Sequence, residues 1–322
     1  MKPFRRSAVA VALVLAAGVA GAQPFPAKAV RIIVPFPPGG GLDIVARLMG
    51  PKLTETYRQQ IVVENRAGAA GVIGTEVAAH AAPDGYTWLL ATMGNLAVNR
   101  HLYAKMSVDP ARDLAPVTEV VAVHFVMVAH PSLPAKDVKS LIALAKARPG
   151  QITYSSSGAG GAPHLAGALF NDMAKVTLVH VPYKGSGPSF VDLLGGQVSL
   201  TFDSMLQSLP YIKAGRLKAL AVLGATRAAQ LPDVPTVAES GLPGYELTNW
   251  FGLVLPAGTS RELVARVHAD VSRVLQMSDM RQRLVDMGAD VINSSPQEFA
   301  AFLAAESAKW ARVIKEANIR AE

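Results

Sequence analysis

The chain of 322 residues contains no cysteine. That excludes disulfide staples, a thiolate nucleophile and cysteine metal sites. Charged residues make up 17% and aromatic residues 6%. The basic ones neither gather into a run nor interleave with aromatics, so nucleic acid is not an expected partner. No apolar stretch reaches the roughly 20 residues of a membrane span. A G-x-x-x-x-G-K-[ST] phosphate loop is absent. Gly158-Ala159-Gly160 begins a dinucleotide fingerprint, but Pro163 stands where its last glycine belongs. Gly185-Ser186-Gly187 is not the G-x-S-x-G elbow of a serine hydrolase. The seven histidines show neither H-x-H nor H-E-x-x-H spacing, so no metal and no cofactor is expected.

What the chain does have starts at its N-terminus. Lys2, Arg5 and Arg6 precede an apolar run from Ala8 to Val19, and Ala20-Gly21-Ala22 reads as a small-x-small cleavage site before Gln23. Residues 1–22 are thus expected to be an export signal, and with no cysteine at the site no lipid anchor is expected. The formal charge of +7 becomes +4 without those three cations, a mild excess that steers anions. Residues 23–322 suffice for an ample core in two domains.

Short apolar runs alternate with helical patterns, the mark of an α/β protein. Strands are predicted over 30–34, 61–64, 87–91, 125–130, 151–155, 177–181, 198–202, 217–223 and 251–255. A helix over 138–147 carries the stripe Val138, Leu141, Ile142 and Ala145, and Arg148-Pro149-Gly150 stops it. Thr259-Ser260-Arg261-Glu262 and Ser295-Pro296-Gln297-Glu298 both match a capping box. After the second, Phe299, Phe302, Leu303, Trp310, Val313 and Ile314 form a core-facing stripe. No flexible linker divides the chain.

The most informative segment is the end of the first strand, Val34-Pro35-Phe36-Pro37-Pro38-Gly39-Gly40-Gly41-Leu42-Asp43. Three glycines let the backbone curl so that successive N–H groups point at one spot. The helix that follows, with Ile44, Val45, Leu48 and Met49 on one face, adds the positive end of its dipole. This pattern holds a carboxylate or phosphate without an Arg or Lys. Asp43, in the first turn, stabilises the dipole whatever the ligand. Four further loops bring small polar residues after a strand: Thr92-Met93-Gly94-Asn95, Ser155 to His164, Val181 to Pro188, and Phe202-Asp203-Ser204. In open α/β sheets such strand ends collect ligands.

Together these segments resemble a known family. The Phe36–Asp43 loop, Val63-Glu64-Asn65-Arg66-Ala67-Gly68, Ala82-Pro83-Asp84-Gly85-Tyr86, Ala115-Pro116-Val117-Thr118, His164-Leu165, His180-Val181-Pro182-Tyr183-Lys184-Gly185, Leu231-Pro232-Asp233-Val234-Pro235-Thr236 and Trp250-Phe251-Gly252 follow that family's order. The chain is similar to the Bug family of extracytoplasmic solute receptors, related to the binding protein of tripartite tricarboxylate transporters. The resemblance implies a two-domain periplasmic binding protein fold of α/β type, with an interdomain ligand cleft and a two-crossover hinge. It places domain 1 at 23–123 plus 224–322 and domain 2 at 124–223.

The implied ligand is a small organic acid. Its carboxylate would meet Phe36, Pro38, Gly39, Gly40, Gly41, Leu42 and Asp43, with Thr92, Met93, Gly94 and Asn95 beside them. From the second domain would come Ser156, Ser157, Gly158, Gly160 and His164, with Tyr183 and Asp203. Family members often carry Thr-Ser/Thr-Gly where this chain has Thr92-Met93-Gly94; Met93 either makes that wall less polar or points into the core. The implied function is capture without catalysis, by a monomer in the periplasm. Its partners would be inner-membrane transporter subunits or a sensor protein. The rival from another class is an exported hydrolase or transferase using Ser155–Ser157 with His164.

Overall fold

The computed structural model describes residues 25–103 and 106–316; the predicted export signal lies outside them. Eleven strands are described: β1 (Val30–Val34), β2 (Ile61–Asn65), β3 (Thr87–Thr92), β4 (Leu114–Val123), β5 (Phe125–Ala129), β6 (Thr153–Ser156), β7 (Val179–Pro182), β8 (Leu200–Ser204), β9 (Lys218–Val222), β10 (Asn249–Pro256) and β11 (Ala289–Val291). The longer helices are α1 (Gly41–Tyr57), α2 (Val72–Ala79), α3 (Val138–Ala147), α4 (Ala162–Ala174), α5 (Ser186–Leu194), α6 (Met205–Lys213), α7 (Arg261–Leu275), α8 (Ser278–Asp286) and α9 (Pro296–Glu316).

Two sheets result, a six-stranded one in the order β11-β4-β10-β3-β1-β2 and a five-stranded one in the order β7-β6-β8-β5-β9. Pairing is parallel among β2, β1 and β3 and among β7, β6 and β8. It is antiparallel elsewhere. The chain passes between the sheets twice: His124 alone separates β4 from β5, and residues 223–248 lead from β9 back to β10.

Local sequence explains most of these elements. In β1, Val30, Ile32, Ile33 and Val34 are buried and only Arg31 is exposed, as expected of a strand covered on both faces. In α1 the fully buried stripe is Leu42, Val45, Ala46, Met49 and Leu53, while Ile44 and Leu48 flank it half-buried. The packed face is therefore rotated slightly from the one expected. The helix stops where Arg58 turns left-handed, its N–H donating to the Thr54 carbonyl. α3 has the predicted bounds, with Asp137 and Ser140 capping each other.

At the start of α9 the capping box forms as predicted: Ser295 Oγ accepts the Glu298 N–H, and the Ser295 N–H donates to the Glu298 carboxylate. Phe299, Trp310 and Ile314 are buried in the core, with Phe302, Leu303 and Val313 packed against it. At α7 the cap lies one residue later than expected. Ser260 Oγ accepts the Leu263 N–H, because the Thr259 hydroxyl is engaged with the Pro256 carbonyl. Strands β4 and β11 were not predicted, since Pro116 and Glu119 break the apolar pattern of the first and the second is only three residues long.

Candidate functional site

The carboxyl ends of β1, β3, β6 and β8, from both sheets, open onto one cavity of about 40 Å³. From the six-stranded side it is lined by Phe36, Pro37, Gly40, Gly41, Leu42, Asp43 and Thr92, and by Asn249 and Phe251 at the start of β10. The five-stranded side supplies Ser157, Gly161, Ala162, Pro163, Ser186, Asp203 and Ser204, with Phe125 at the start of β5.

Four helices begin at this cavity. α1 starts from Gly40, an extended residue that offers no side-chain cap, and the first helical bond runs from the Ile44 N–H to the Gly40 carbonyl. The N–H groups of Gly41, Leu42 and Asp43 therefore have no acceptor within the helix. α4 starts the same way from Gly161, with Leu165 N–H bonded to the Gly161 carbonyl. Ser186 opens α5, and Ser204 is the residue preceding α6. Each helix start contributes a partial positive charge, roughly half a unit. No Lys or Arg lines the cavity among the described residues. Whatever positive charge it offers an anion comes from backbone.

Gly39 has φ +88°, which is strained for any residue with a Cβ. Its N–H is already taken by Asp43 Oδ2 at 3.0 Å. The amides turned to the cavity are thus those of the helix start, and Gly39 shapes the turn. Asp43 is the hub: Arg47 Nε donates to it at 2.9 Å and Asn65 Nδ2 at 2.9 Å. Burial pushes its carboxyl up, but the hydrogen bonds from Arg47, Gly39 and Asn65 outweigh this and hold it below its usual value.

Asp203 faces α1 across the cleft. Its Oδ2 accepts from Ser186 Oγ at 2.6 Å and its Oδ1 from the Ser204 N–H at 2.6 Å. Burial pushes it up to about 6, against the lowering effect of Ser186 and Ser204. The lobes also meet beside the cavity, where Tyr103 O–H donates to the Ala159 carbonyl at 2.9 Å.

Of the residues expected at the site, Phe36, Gly40, Gly41, Leu42, Asp43, Thr92, Ser157 and Asp203 line the cavity. Pro38, Gly39 and Tyr183 line a separate open groove, where Tyr183 O–H donates to Asp192. Met93 is 1% exposed and packed in the core. Gly94 lies against the Gly160 carbonyl. Asn95 holds the turn, accepting from Thr92 N–H and Oγ1 and donating to the Ala70 carbonyl. Gly158 packs on Ala70.

His164 has a structural bond, its Nδ1 accepting the Gly160 N–H at 3.0 Å, and its ring stacks on His180 at 4.3 Å. Ser156 Oγ lies 2.6 Å from His180 Nε2, a hydroxyl–imidazole pair of the kind a hydrolase uses. Yet Ser156 is fully buried, and burial with His164 lowers His180 to about 4, which makes it a weak base.

Sequence reasoning did not select Pro37, Phe125, Gly161, Ala162, Pro163, Ser186, Ser204, Asn249 and Phe251. Ser186 and Ser204 lay inside loops already singled out. Phe125 and Asn249 had a fainter signal, as the first residues after the two crossings.

Two α/β lobes that share a cleft at their strand ends define a periplasmic binding protein. Within that class the chain belongs to the tripartite tricarboxylate transporter family receptors, matched over residues 45–319. It is 37% identical to protein BugT of Bordetella pertussis over 324 residues, covering 99% of each chain. Among solved structures, R. palustris Rpa4515 with adipate is 38% identical, with a TM-score of 0.89 over 92% of this chain and 99% of that one. MatC from Rhodopseudomonas palustris, with bound malate, is 33% identical, with a TM-score of 0.86 over 90% of this chain and 100% of that one. The family is one of solute receptors, as the Bug resemblance implied.

Proposed function

We propose that this receptor captures a small organic acid in the cavity between its lobes, in the periplasm, and performs no reaction on it. The observation that carries this reading is the convergence of four helix starts, none of them capped by a side chain, on one cavity with no Lys or Arg among the described residues. Such a cavity favours an anion at fixed positions and leaves the rest of the molecule to apolar contacts with Phe36, Phe125 and Phe251. The adipate and malate in its relatives are anions of this kind. The Gly41–Asp43 amides hold one carboxylate, while Thr92, Ser157, Ser186 and Asp203 meet the remainder.

At about 40 Å³ the cavity has room for water but not for a benzene-sized guest, which takes roughly 150 Å³. Entry of a dicarboxylate therefore requires the lobes to separate and then close on it, as in hinged binding proteins generally. The chain divides for this motion into 23–123 plus 224–322 and 124–223. The closed form is what an inner-membrane transporter subunit or a sensor protein reads. Removal of residues 1–22 yields the exported monomer.

The test is calorimetric titration of the chain from Gln23 onward with adipate and malate, with adipamide and malamide as uncharged controls. Binding of an acid without binding of its amide supports the reading. At 100 times the dissociation constant, such an acid stabilises the fold by about 2.7 kcal/mol in a parallel melt. Equal binding of acid and amide, or no binding of any linear dicarboxylate, sinks it.

A further inference from the structure

Asp203 presents a difficulty for an anion site. It is 3% exposed, stands one residue before the end of β8 at the cavity wall, and is placed where a negative charge opposes an incoming carboxylate. Both of its oxygens are held by donors, Ser186 Oγ and the Ser204 N–H. Beside it, Ser204 Oγ belongs to a residue 2% exposed and has no hydrogen bond of good geometry. That hydroxyl is close enough to the Asp203 carboxyl to influence it, and it lies against Gly41 at the start of α1. A buried hydroxyl in the cavity wall with no well-formed hydrogen bond has room for a partner from the cavity.

The charged surroundings give Asp203 little help as an anion. From α1 comes Asp43, whose cation Arg47 is already engaged. Ahead of β5, His124 pairs with Asp290 at 2.7 Å. On α4 and β7, His164 and His180 stack on each other. Tyr183, before α5, is committed to Asp192. The rings of Phe36, Phe125 and Phe251 complete the wall. In such a setting two carboxylates a few ångströms apart share a proton.

We propose that Asp203 and Ser204 form the second-lobe subsite of the cleft, and that Asp203 is the neutral carboxylic acid whenever an organic acid is bound, so that capture takes up one proton. The proposal rests on the carboxylate reading above. The proton comes from solvent. Protonated Asp203 still accepts the Ser204 N–H on one oxygen, while its O–H and the Ser204 hydroxyl become donors to the ligand. Burial, which already raises Asp203 to about 6, prepares it for this change. Capture then weakens as pH rises beyond that value, although both probes are fully ionised there.

The experiment is titration calorimetry of the chain from Gln23 onward with adipate and with malate, between pH 7 and 8, in buffers of different ionisation enthalpy. The expected result is uptake approaching one proton per ligand, with Kd rising up to tenfold across that pH unit. Asp203→Asn changes the affinity, and the binding it retains shows neither the proton uptake nor the pH slope. Ser204→Ala weakens binding about tenfold and keeps the uptake. Binding of either acid by the wild type with no proton uptake overturns the proposal and leaves the carboxylate reading intact. Proton uptake that persists in Asp203→Asn overturns it too. If neither acid binds at any pH, the carboxylate reading falls and takes the proposal with it.

Discussion

Gly41 and Ser204 approach so closely across the cleft that a Cβ on Gly41 would lie 2.7 Å from Ser204 Oγ. The same Cβ would meet Leu206 Cδ1 at 3.3 Å, so rotating the serine alone does not clear the space. Alanine at this position suits the first turn of a helix, and the added Cβ stands at the cavity wall. Gly41→Ala is therefore expected to leave the melting temperature of the unliganded protein within a few degrees of wild type. Its affinity for adipate or malate drops at least tenfold, because the lobes stop short of closure. Wild-type affinity in this variant refutes the close approach as a feature of the bound state.

Asp43 ties together three segments: the glycine turn through Gly39, its own helix through Arg47, and β2 through Asn65. Asp43→Ala leaves these donors without their acceptor at a buried site. Charge-assisted hydrogen bonds each contribute about 1.5–3 kcal/mol, and relaxation recovers part of the loss. A destabilisation of about 2–4 kcal/mol is expected in urea melts at pH 7. The sign of its pH dependence follows from the lowered carboxyl. The stabilisation is present above pH 3.8, the ordinary value, and is lost as pH falls through the folded one. The wild-type and variant curves thus converge only below about pH 3.8, and a gap unchanged at pH 2 contradicts this account.

The legible parts of this molecule are those where one local rule decides. β1 and α3 sit where their patterns place them because a Val/Ile run and an apolar stripe ended by Arg148-Pro149-Gly150 each suffice. The glycine loop, read from sequence as a turn into a helix start, lines the cavity. What eluded sequence reasoning depends on partners far along the chain. β4 is a strand because β10 and β11 pair with it on either side, which overrides Pro116 and Glu119. Met93 goes to the core, and Asn95 below it pins the Ala70 carbonyl, so two of the four residues in that loop support the site from outside. Phe125 and Asn249 reach the cavity because the two crossings between sheets begin their strands there. Such positions are properties of topology.

His180 illustrates a partly buried imidazole that stays neutral. Its ring lies between Tyr154 at 5.1 Å and His164 at 4.3 Å, with Ser156 Oγ at Nε2. Burial, reinforced by His164, lowers it from 6.5 to about 4. The unfolded chain takes up this proton first on acidification, so the contribution to stability is whole above pH 6.5 and is lost between 6.5 and about 4. Nitrogen NMR of the two stacked histidines tests this directly. His180 is expected to remain neutral at pH 5.5, and a midpoint near 6.5 contradicts the packing described.

Glu119 on β4 and Glu306 on α9 work in the opposite direction. Trp250 Nε1 and Trp310 Nε1 both donate to Glu306 Oε2 at 3.2 Å, which fixes that carboxylate in place. Burial first, and the charge of Glu306 second, raise Glu119 from 4.5 to about 7. The native protein then holds a proton that the unfolded chain has released. Stability accordingly falls as pH climbs from about 4.5 to about 7, and levels off above that. The loss is on the order of 3 kcal/mol, at about 1.4 kcal/mol per pH unit. Glu119→Gln removes the charge and supplies an amide donor toward Glu306. The variant is expected to melt several degrees higher than wild type at pH 8 and at the same temperature at pH 4. An equal offset at both pH values would place the effect in packing instead of charge, and a lower melting temperature at pH 8 would show that the ionised Glu119 is tolerated where it stands.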